Sequence, residues 1–148
     1  MTSRHDDAWD SPGFLLWHAT LRWQRAMVEA LSPLGLTHTQ FVLLASTWWL
    51  AENGGPPRQR DLAAHAGTDP MMTSQVVRTL EGKGLLVRDV DPDDRRAWRL
   101  RPTDEGAAVA RRAVLAVEDA DTAYFEQLPA SARRGFVIGL RALGGRRD

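Results

Sequence analysis

Apolar residues recur at helical spacing over most of the chain and alternate at period two in only one short segment. A first helix is predicted over about 12–31, and the Ser-Pro-Leu-Gly-Leu run at 32–36 ends it. Thr37 is a suitable cap for a second helix that runs to about Ala51. The glycine- and proline-rich run at 53–57 is then predicted to be a loop.

Two shorter helices follow with clear start and stop signals. They are predicted over about 58–65 and 70–83, and Gly67 ends the first. Asp69 caps the second, whose first position is Pro70, where a missing N–H costs nothing. A helix, a short turn and a second amphipathic helix are typical of a helix-turn-helix.

A β-hairpin is predicted directly after these helices. Residues 85–90 are an apolar run of strand length, and the Asp- and Pro-rich run at 91–95 favours a reverse turn. The return strand at 97–101 alternates, with Trp98 and Leu100 on one face. We expect both side chains to help hold the fold.

Two helices complete the chain. Thr103 is a suitable cap for a long helix to about Ala120, and an apolar face continues to Pro129. A final helix is predicted over about 130–143, where two glycines end it.

These elements predict a mainly α protein with a small β-hairpin wing, that is, a winged helix-turn-helix. We expect one domain over 1–148, with the DNA-reading region at about 37–102. The helices at about 12–36 and 103–148 have apolar faces that the small central region cannot cover. They predict a two-fold dimer interface; the alternative is that they pack on their own domain.

Composition excludes several classes of protein. The 148 residues suit one ordinary domain, and the absence of cysteine excludes disulfides, thiolate metal sites and thiol redox sensing. No apolar run reaches the length of a membrane span, and residues 1–12 lack the features of a secretory signal, so we expect a cytoplasmic protein with no membrane partner. The four histidines have no metal-ligand spacing, and there is no nucleophile motif or phosphate-binding glycine loop. We therefore expect no cofactor and no enzymatic activity.

Charge adds a weaker signal. The formal net charge is zero, but residues 58–101 hold nine Arg or Lys against seven Asp or Glu. Several of these acids lie in or beside the predicted turn, where they can bind backbone N–H groups. That arrangement leaves arginines available for phosphates.

Five short motifs, in this order and spacing, carry a resemblance to a known family. They are Gly35-Leu36-Thr37 with Gln40, Asp61-Leu62-Ala63, Leu80-Glu81-Gly82-Lys83-Gly84-Leu85, Asp91-Pro92-Asp93-Asp94-Arg95-Arg96, and Thr103-Asp104-Glu105-Gly106. Over nearly its whole length the chain resembles MarR-family transcriptional regulators. Pro102 is a departure, because the family usually has Leu before the Thr. The resemblance implies a homodimer that binds double-stranded DNA, usually as a repressor, and that a small aromatic or anionic ligand releases.

The helix over about 70–83 would then be the recognition helix. Its outward face is predicted to carry Met71, Ser74, Gln75 and Arg78. In the major groove, Gln75 can read adenine, Arg78 guanine or a phosphate, and Met71 a thymine methyl, while Ser74 suits either base or phosphate. The alternative is an ordinary solvated helix face.

In the wing, the resemblance implies that Asp94 braces the turn while Arg95 or Arg96 enters the minor groove. We favour Arg96, since a narrow minor groove concentrates negative potential; the alternative is a surface ion pair. Further arginines are candidates for phosphate contacts. They are Arg58, Arg88 and Arg99, together with Arg60 and Arg101.

Aromatic residues on the first two helices suggest a ligand pocket. The candidates are Trp17, His18, Trp23 and Trp48, near Trp49, Arg22 and Arg25. We favour a core role for most of these tryptophans. A winged helix that binds a protein partner and no DNA is the alternative function; the two arginines at the turn and the polar face of the recognition helix favour DNA.

Overall fold

The computed structural model describes residue 4 and residues 6–145. Short 3-10 helices lie at Ala8–Asp10 and Ser32–Leu34. The α-helices are α1 (Pro12–Leu31), α2 (His38–Gly54), α3 (Gln59–Ala66), α4 (Pro70–Gly82), α5 (Asp104–Phe125) and α6 (Ala130–Leu143). The strands are β1 (Leu86–Asp91) and β2 (Asp94–Pro102). The order of elements agrees with the prediction, and α1 and α6 have the predicted bounds.

The chain divides into two compact units. We call residues 27–117 the central unit, and the described residues among 1–26 and 118–148 the terminal unit. The central unit contains α2, α3, α4 and the hairpin β1–β2. Its largest fully buried apolar side chains are Met27, Leu31, Leu43, Leu44, Leu62, Val77, Leu80, Leu86 and Leu100. A mainly aliphatic core therefore holds the two short helices and the base of the hairpin.

Side chains at the predicted capping positions begin three of the helices. The hydroxyl of Thr37 forms a capping box at the start of α2. Asp69 Oδ1 accepts a hydrogen bond of 2.9 Å from the backbone N–H of Met72. Thr103 Oγ1 accepts one of 2.9 Å from the N–H of Gly106. These predicted caps are confirmed, and they satisfy N–H groups that a helix start leaves without a partner.

Two helices extend beyond their predicted ends. α2 continues to Gly54, and it stops before Gly55, which has a φ of 88°. α5 continues to Phe125 without a break at Ala120. In α5 the apolar face past Ala120, with Tyr124 and Phe125, belongs to the same helix, since no Gly or Pro interrupts residues 121–125.

The hairpin is antiparallel and irregular at its tip. Val90 pairs with Trp98 and Asp91 with Asp94, so residues 95–97 of β2 have no partners in the ladder. An irregularity of this kind increases the local twist and turns a strand end outward. Arg95 and Arg96 therefore lie in the part of the hairpin that is outside the regular ladder.

The prediction that Trp98 holds the fold was wrong. Trp98 is 52% exposed, whereas Leu100, two residues further along the same face, is 1% exposed. Alternation places a side chain on one face of a strand, but it does not show how far the underlying core reaches. Here the core ends beneath Leu100, and the hairpin continues past it.

In the terminal unit, side-chain contacts join the first half of α1 to the end of α5. The indole Nε1 of Trp23 donates to Asp121 Oδ1 at 2.7 Å, and the hydroxyl of Tyr124 donates to the carbonyl of Ala19 at 2.8 Å. The ring of Phe125 lies 5.8 Å from that of Phe136 in α6. Trp23 is thus a packing residue with its N–H satisfied, as a half-buried indole requires.

The last helix of the terminal unit differs from the others. No residue of α6 is buried, although the helix is strongly amphipathic. Its large exposed apolar side chains are Phe136, Val137, Ile138, Leu140 and Leu143. In the part of the chain that the structure describes, none of the helices combines the length and apolar character of a membrane span.

Candidate nucleic-acid interface

The second helix of the helix-turn-helix, α4, separates its buried and exposed residues cleanly. Its buried residues are Thr73, Val77 and Leu80. Met71 is 73% exposed, Gln75 and Arg78 are exposed, and Ser74 is half-buried. Arg78 forms no ion pair with any described residue. The four predicted DNA-reading residues therefore lie on the accessible part of α4.

Hydrogen bonds fix the turn between α3 and α4. Gly67 ends α3 with a φ of 69°, a conformation that glycine adopts without strain. The hydroxyl of Thr73 donates to the carbonyl of Asp69 at 2.8 Å and lies 2.7 Å from that of Thr68. Since the Thr73 proton is used on Asp69, Thr68 is the donor in the second contact. The start of α4 is thus held from its buried face as well as by its cap.

Lys83 joins two motifs that are far apart in the sequence. Its Nζ donates to the carbonyl of Gly35 at 2.6 Å and to Gln40 Oε1 at 2.9 Å. The hydroxyl of Thr103 donates to the carbonyl of Gly84 at 2.6 Å. The end of α4 is therefore attached to the start of α2 and to the residue that caps α5.

The tip of the hairpin exposes two adjacent arginines. Asp94 Oδ1 accepts a hydrogen bond of 3.0 Å from the backbone N–H of Arg96, so the contact is with the backbone. Arg95 and Arg96 are exposed, and within residues 4 and 6–145 neither forms an ion pair. Both guanidinium groups are therefore available to an anion.

A buried carboxylate lies at the base of this tip. Asp91 is fully buried, and its Oδ2 lies 2.7 Å from Nη2 of Arg58 and 3.1 Å from Nε of Arg99. Its Oδ1 accepts a hydrogen bond of 2.9 Å from the backbone N–H of Asp93. These contacts, with the Asp93 N–H the largest effect, outweigh burial and lower the pKa of Asp91 to about 2. In turn, Asp91 raises the pKa of Arg58.

The same contacts connect the hairpin to the residues before α3. Arg58 forms an isolated bridge with Arg99, and the N–H of Leu100 donates to the carbonyl of Pro57 at 2.8 Å. Arg99 Nη1 also donates to the carbonyl of Pro56 at 3.0 Å. The wing is thereby fixed to the start of the helix-turn-helix.

The predicted phosphate-contact arginines all have acidic partners. Arg58 and Arg99 pair with Asp91, Arg88 with Glu81, Arg101 with Asp89, and Arg60 with Asp61. The side chains of Arg58, Arg88 and Arg99 nevertheless remain 28%, 31% and 30% exposed. Part of each guanidinium can therefore still meet an anion.

Sequence reasoning did not identify Asp91 as the centre of this network. It was interpreted as one of several turn-forming acids. A signal was present, because acids at 89 and 91 and arginines at 99 and 101 recur at period two in strands that pair with each other. Opposite charges across a strand pair stabilise a sheet.

The predicted ligand residues fall into different surroundings. His18 lies 4.8 Å from the ring of Trp9 and 4.4 Å from that of Phe14, and Trp17 is 62% exposed. An apolar groove of about 230 Å³ in the terminal unit is lined by Leu16, Ala19, Thr20, Trp23, Tyr124, Phe125, Phe136 and Leu140. Trp48 is in the central unit, where its Nε1 donates to Glu52 Oε1 at 3.2 Å.

Helices α2, α3 and α4 are followed by a two-stranded wing, and one face of α4 is accessible. This arrangement defines a winged helix-turn-helix protein. A model of the MarR family matches residues 36–98, which span α2 to β2. The chain is 43% identical over 133 residues to the uncharacterized HTH-type transcriptional regulator YdcH of Bacillus subtilis, covering 90% of this chain and 89% of that protein. The protein belongs to the MarR family.

Solved structures agree over the whole fold. CouR of Rhodococcus jostii RHA1 bound to p-coumaroyl-CoA is 30% identical, with a TM-score of 0.82 over 97% of this chain and 99% of CouR. CouR bound to a 23-mer DNA duplex gives 0.79 at 26% identity, with 99% and 100% covered. Rv2887 of Mycobacterium tuberculosis with salicylic acid is 32% identical, with a TM-score of 0.68 over 93% and 98%.

Proposed function

We propose that this protein is a sequence-specific DNA-binding regulator of transcription, and a repressor, that binds a near-palindromic operator as a homodimer. The observation that carries the proposal is a set of exposed groups in the central unit. They are Gln75 and Arg78 on α4, and Arg95 and Arg96 at the wing tip, which have no acidic partner among the described residues. The DNA complex of CouR and the repressors among the relatives support it.

In this proposal α4 enters the major groove. Gln75 reads adenine and Arg78 reads guanine or holds a phosphate, while Ser74 and Met71 contact the neighbouring base edges. The cap at Asp69 and the buried face of α4 hold the helix in place, so that these side chains need little reorganisation on binding.

The wing tip enters the minor groove through Arg96, whose backbone Asp94 holds, with Arg95 beside it. Arg58, Arg88 and Arg99 keep a share in phosphate binding through their exposed N–H groups. Because each already has an acidic partner, we expect each to contribute less than Arg96.

The exposed apolar stripe of α6 supports dimerisation. A soluble monomer rarely leaves five large apolar side chains exposed on one helix. A two-fold dimer through the terminal helices covers them and presents two α4 helices. Half-sites about one helical turn apart, roughly 10 bp, follow from that symmetry.

We further propose that a small aromatic anion releases the protein from DNA. The salicylate complex of Rv2887 and the p-coumaroyl-CoA complex of CouR support this class of ligand. The candidate contacts are Trp17, His18 and Trp23 in the terminal unit or, as a separate site, Trp48 in the central unit. A ligand that acts must bind the DNA-free and DNA-bound states unequally. Salicylate and p-coumarate are the first compounds to test, with Trp fluorescence and operator affinity as readouts.

We assign a cytoplasmic location and no enzymatic activity. Within residues 4 and 6–145 there is no group of three or more His, Asp or Glu side chains suited to hold a metal. The arrangement of arginines and amide groups on α4 and the wing is suited to binding duplex DNA and not to covalent chemistry.

Selection from random duplexes tests the proposal directly. We expect a two-fold-related site to be enriched, and we expect Arg78→Ala and Arg96→Ala to weaken binding to it about tenfold or more. Arg112→Ala is the matched control, because Arg112 is an exposed arginine on α5, outside both the helix-turn-helix and the wing. If no duplex is enriched, the protein-partner alternative replaces DNA binding.

A further inference from the structure

Two large apolar side chains on the wing lie about half exposed. Val90 and Trp98 face each other across the hairpin and are 50% and 52% exposed. The next pair on the same face toward the base, Arg88 and Leu100, contains a fully buried leucine. The exposed pair therefore forms an apolar step, which we call the wing step, between the core and the basic tip.

The register shows which side of the hairpin carries the wing step. Side chains two residues apart on a strand point to the same side, so Val90 shares its side with Arg88. Arg88 Nε contacts Glu81 of α4 at 2.9 Å. The wing step therefore faces the side of the hairpin on which the recognition helix lies.

The charge around the wing step favours a polyanion as its occupant. Trp98 lies two residues after Arg96, and neither Arg95 nor Arg96 has an acidic partner among the described residues. Duplex DNA offers phosphates for these two arginines and apolar deoxyribose carbons for the indole.

The strand that carries Val90 is anchored next to the wing step. Asp91, the neighbour of Val90, is buried and paired with Arg58 in front of α3. A strand anchored in this way loses little freedom on binding. A tryptophan on it supplies a large contact area from few rotatable bonds. The step is therefore suited to a repeated, specific contact.

Building on the proposed function, we propose that Trp98, with Val90, packs on the sugar–phosphate wall of the groove that the wing tip enters. The indole face covers deoxyribose carbons, and its N–H donates to a phosphate oxygen. This contact adds affinity without adding charge, so its contribution does not involve the release of counterions.

The charge difference gives a sharp test. Titrations of the operator recovered by selection, repeated over a range of salt, compare the wild type with Trp98→Ala, Trp98→Phe and Arg96→Ala. We expect Trp98→Ala to weaken binding about tenfold with an unchanged slope of log affinity against log salt. Trp98→Phe, which keeps a ring but no donor, should fall between. Arg96→Ala should reduce the slope by about 1 per protomer.

Trp49→Ala is the matched control, since Trp49 on α2 is also 52% exposed. It should bind the operator like the wild type, and circular dichroism should show every variant folded. If Trp98→Ala binds the operator with wild-type affinity, the inference about Trp98 is wrong while the proposed function stands. The same holds if the slope of log affinity against log salt is smaller in Trp98→Ala than in the wild type. Unchanged affinity with altered mass in light scattering identifies a second copy as the occupant. If the wild type enriches no duplex, the proposed function fails first.

Discussion

The helices α4 and α6 have similar lengths, 13 and 14 residues, and both are amphipathic, but their apolar residues have different surroundings. α4 buries Thr73, Val77 and Leu80 in the central unit. α6 buries none of its residues. The comparison teaches that amphipathicity alone does not show what covers a helix. The central unit is complete within one chain, whereas the apolar face of α6 needs a partner.

Leu143→Asp should have the largest effect on this comparison. Leu143 lies on the same face of α6 as Phe136 and Leu140 and is 78% exposed in the single chain, so an aspartate there does not disturb its core. In a dimer it would place a charge in an apolar interface. We expect monomers at micromolar concentration in sedimentation experiments, and operator affinity lowered about 100-fold or more because avidity is lost.

Ser131→Asp is the control for that variant. Ser131 lies in the first turn of α6, outside the apolar stripe, and an acid is favourable at a helix start. It should remain dimeric. If Leu143→Asp also remained dimeric, the apolar face of α6 would not be part of the interface.

Gly106→Ala tests how closely the start of α5 packs against the residue before β1. A Cβ at Gly106 would overlap the carbonyl oxygen of Leu85, which also accepts a hydrogen bond from the N–H of Thr103. Because backbone atoms cannot move aside like a flexible side chain, we expect a loss of about 3 kcal/mol or more in the free energy of unfolding. Urea denaturation measures it. Gly82→Ala, where a Cβ meets open space, should change stability by less than about 1 kcal/mol.

Asp91→Asn tests how charge holds the wing. The pKa of Asp91 is about 2 in the folded protein against an ordinary value of 3.8. A lowered pKa means that ionised Asp91 stabilises the fold above about pH 4, and that this contribution is lost as the pH falls through about 2. We therefore expect Asp91→Asn to be less stable than the wild type near neutral pH, with the difference shrinking in acid.

Denaturation midpoints of both proteins, measured from neutral pH down to about pH 2, check this expectation. Asp89→Asn is the control, because Asp89 pairs with Arg101 on the exposed surface. Such a pair contributes little. A constant difference between Asp91→Asn and the wild type at every pH would contradict the assignment.

Lys83→Met should have the smallest effect of the four. Lys83 is exposed, and its hydrogen bonds to Gly35 and Gln40 compete with water. We expect a loss of about 0.5 to 1 kcal/mol in the free energy of unfolding. Arg60→Met removes a 3.7 Å contact between largely exposed side chains and should change nothing measurable. Equal effects of the two substitutions would show that Lys83 does not connect α4 to α2.

Local patterns predicted the elements because their signals are short-range. The caps at Thr37, Asp69 and Thr103 depend on residues two or three positions away, and all three are present. The exposed face of α4 also follows from its period. The end of α5 was predicted too early, although Tyr124 and Phe125 continue its apolar face and no Gly or Pro separates them from Ala120.

The partners of the charged residues could not be predicted in the same way. Arg58 and Arg99 are indistinguishable in sequence from Arg96, yet the first two pair with Asp91 and the third has no acidic partner among the described residues. The acid and Arg58 are 33 positions apart and meet only because the hairpin returns beside the start of α3. Trp98 was misplaced for a related reason, since alternation does not show where a core ends.

The sequence by itself determined the order of helices and strands, their caps, the family and the face of α4 that meets solvent, because these depend on spacing and local hydrogen bonds. Only the tertiary structure decided which arginines pair with acids among the described residues, that Asp91 is buried with its pKa near 2, and that Trp98 is exposed. Burial and charge pairing are set by residues distant in the chain. Their effects on binding are therefore decided by how the hairpin, α3 and α4 pack together.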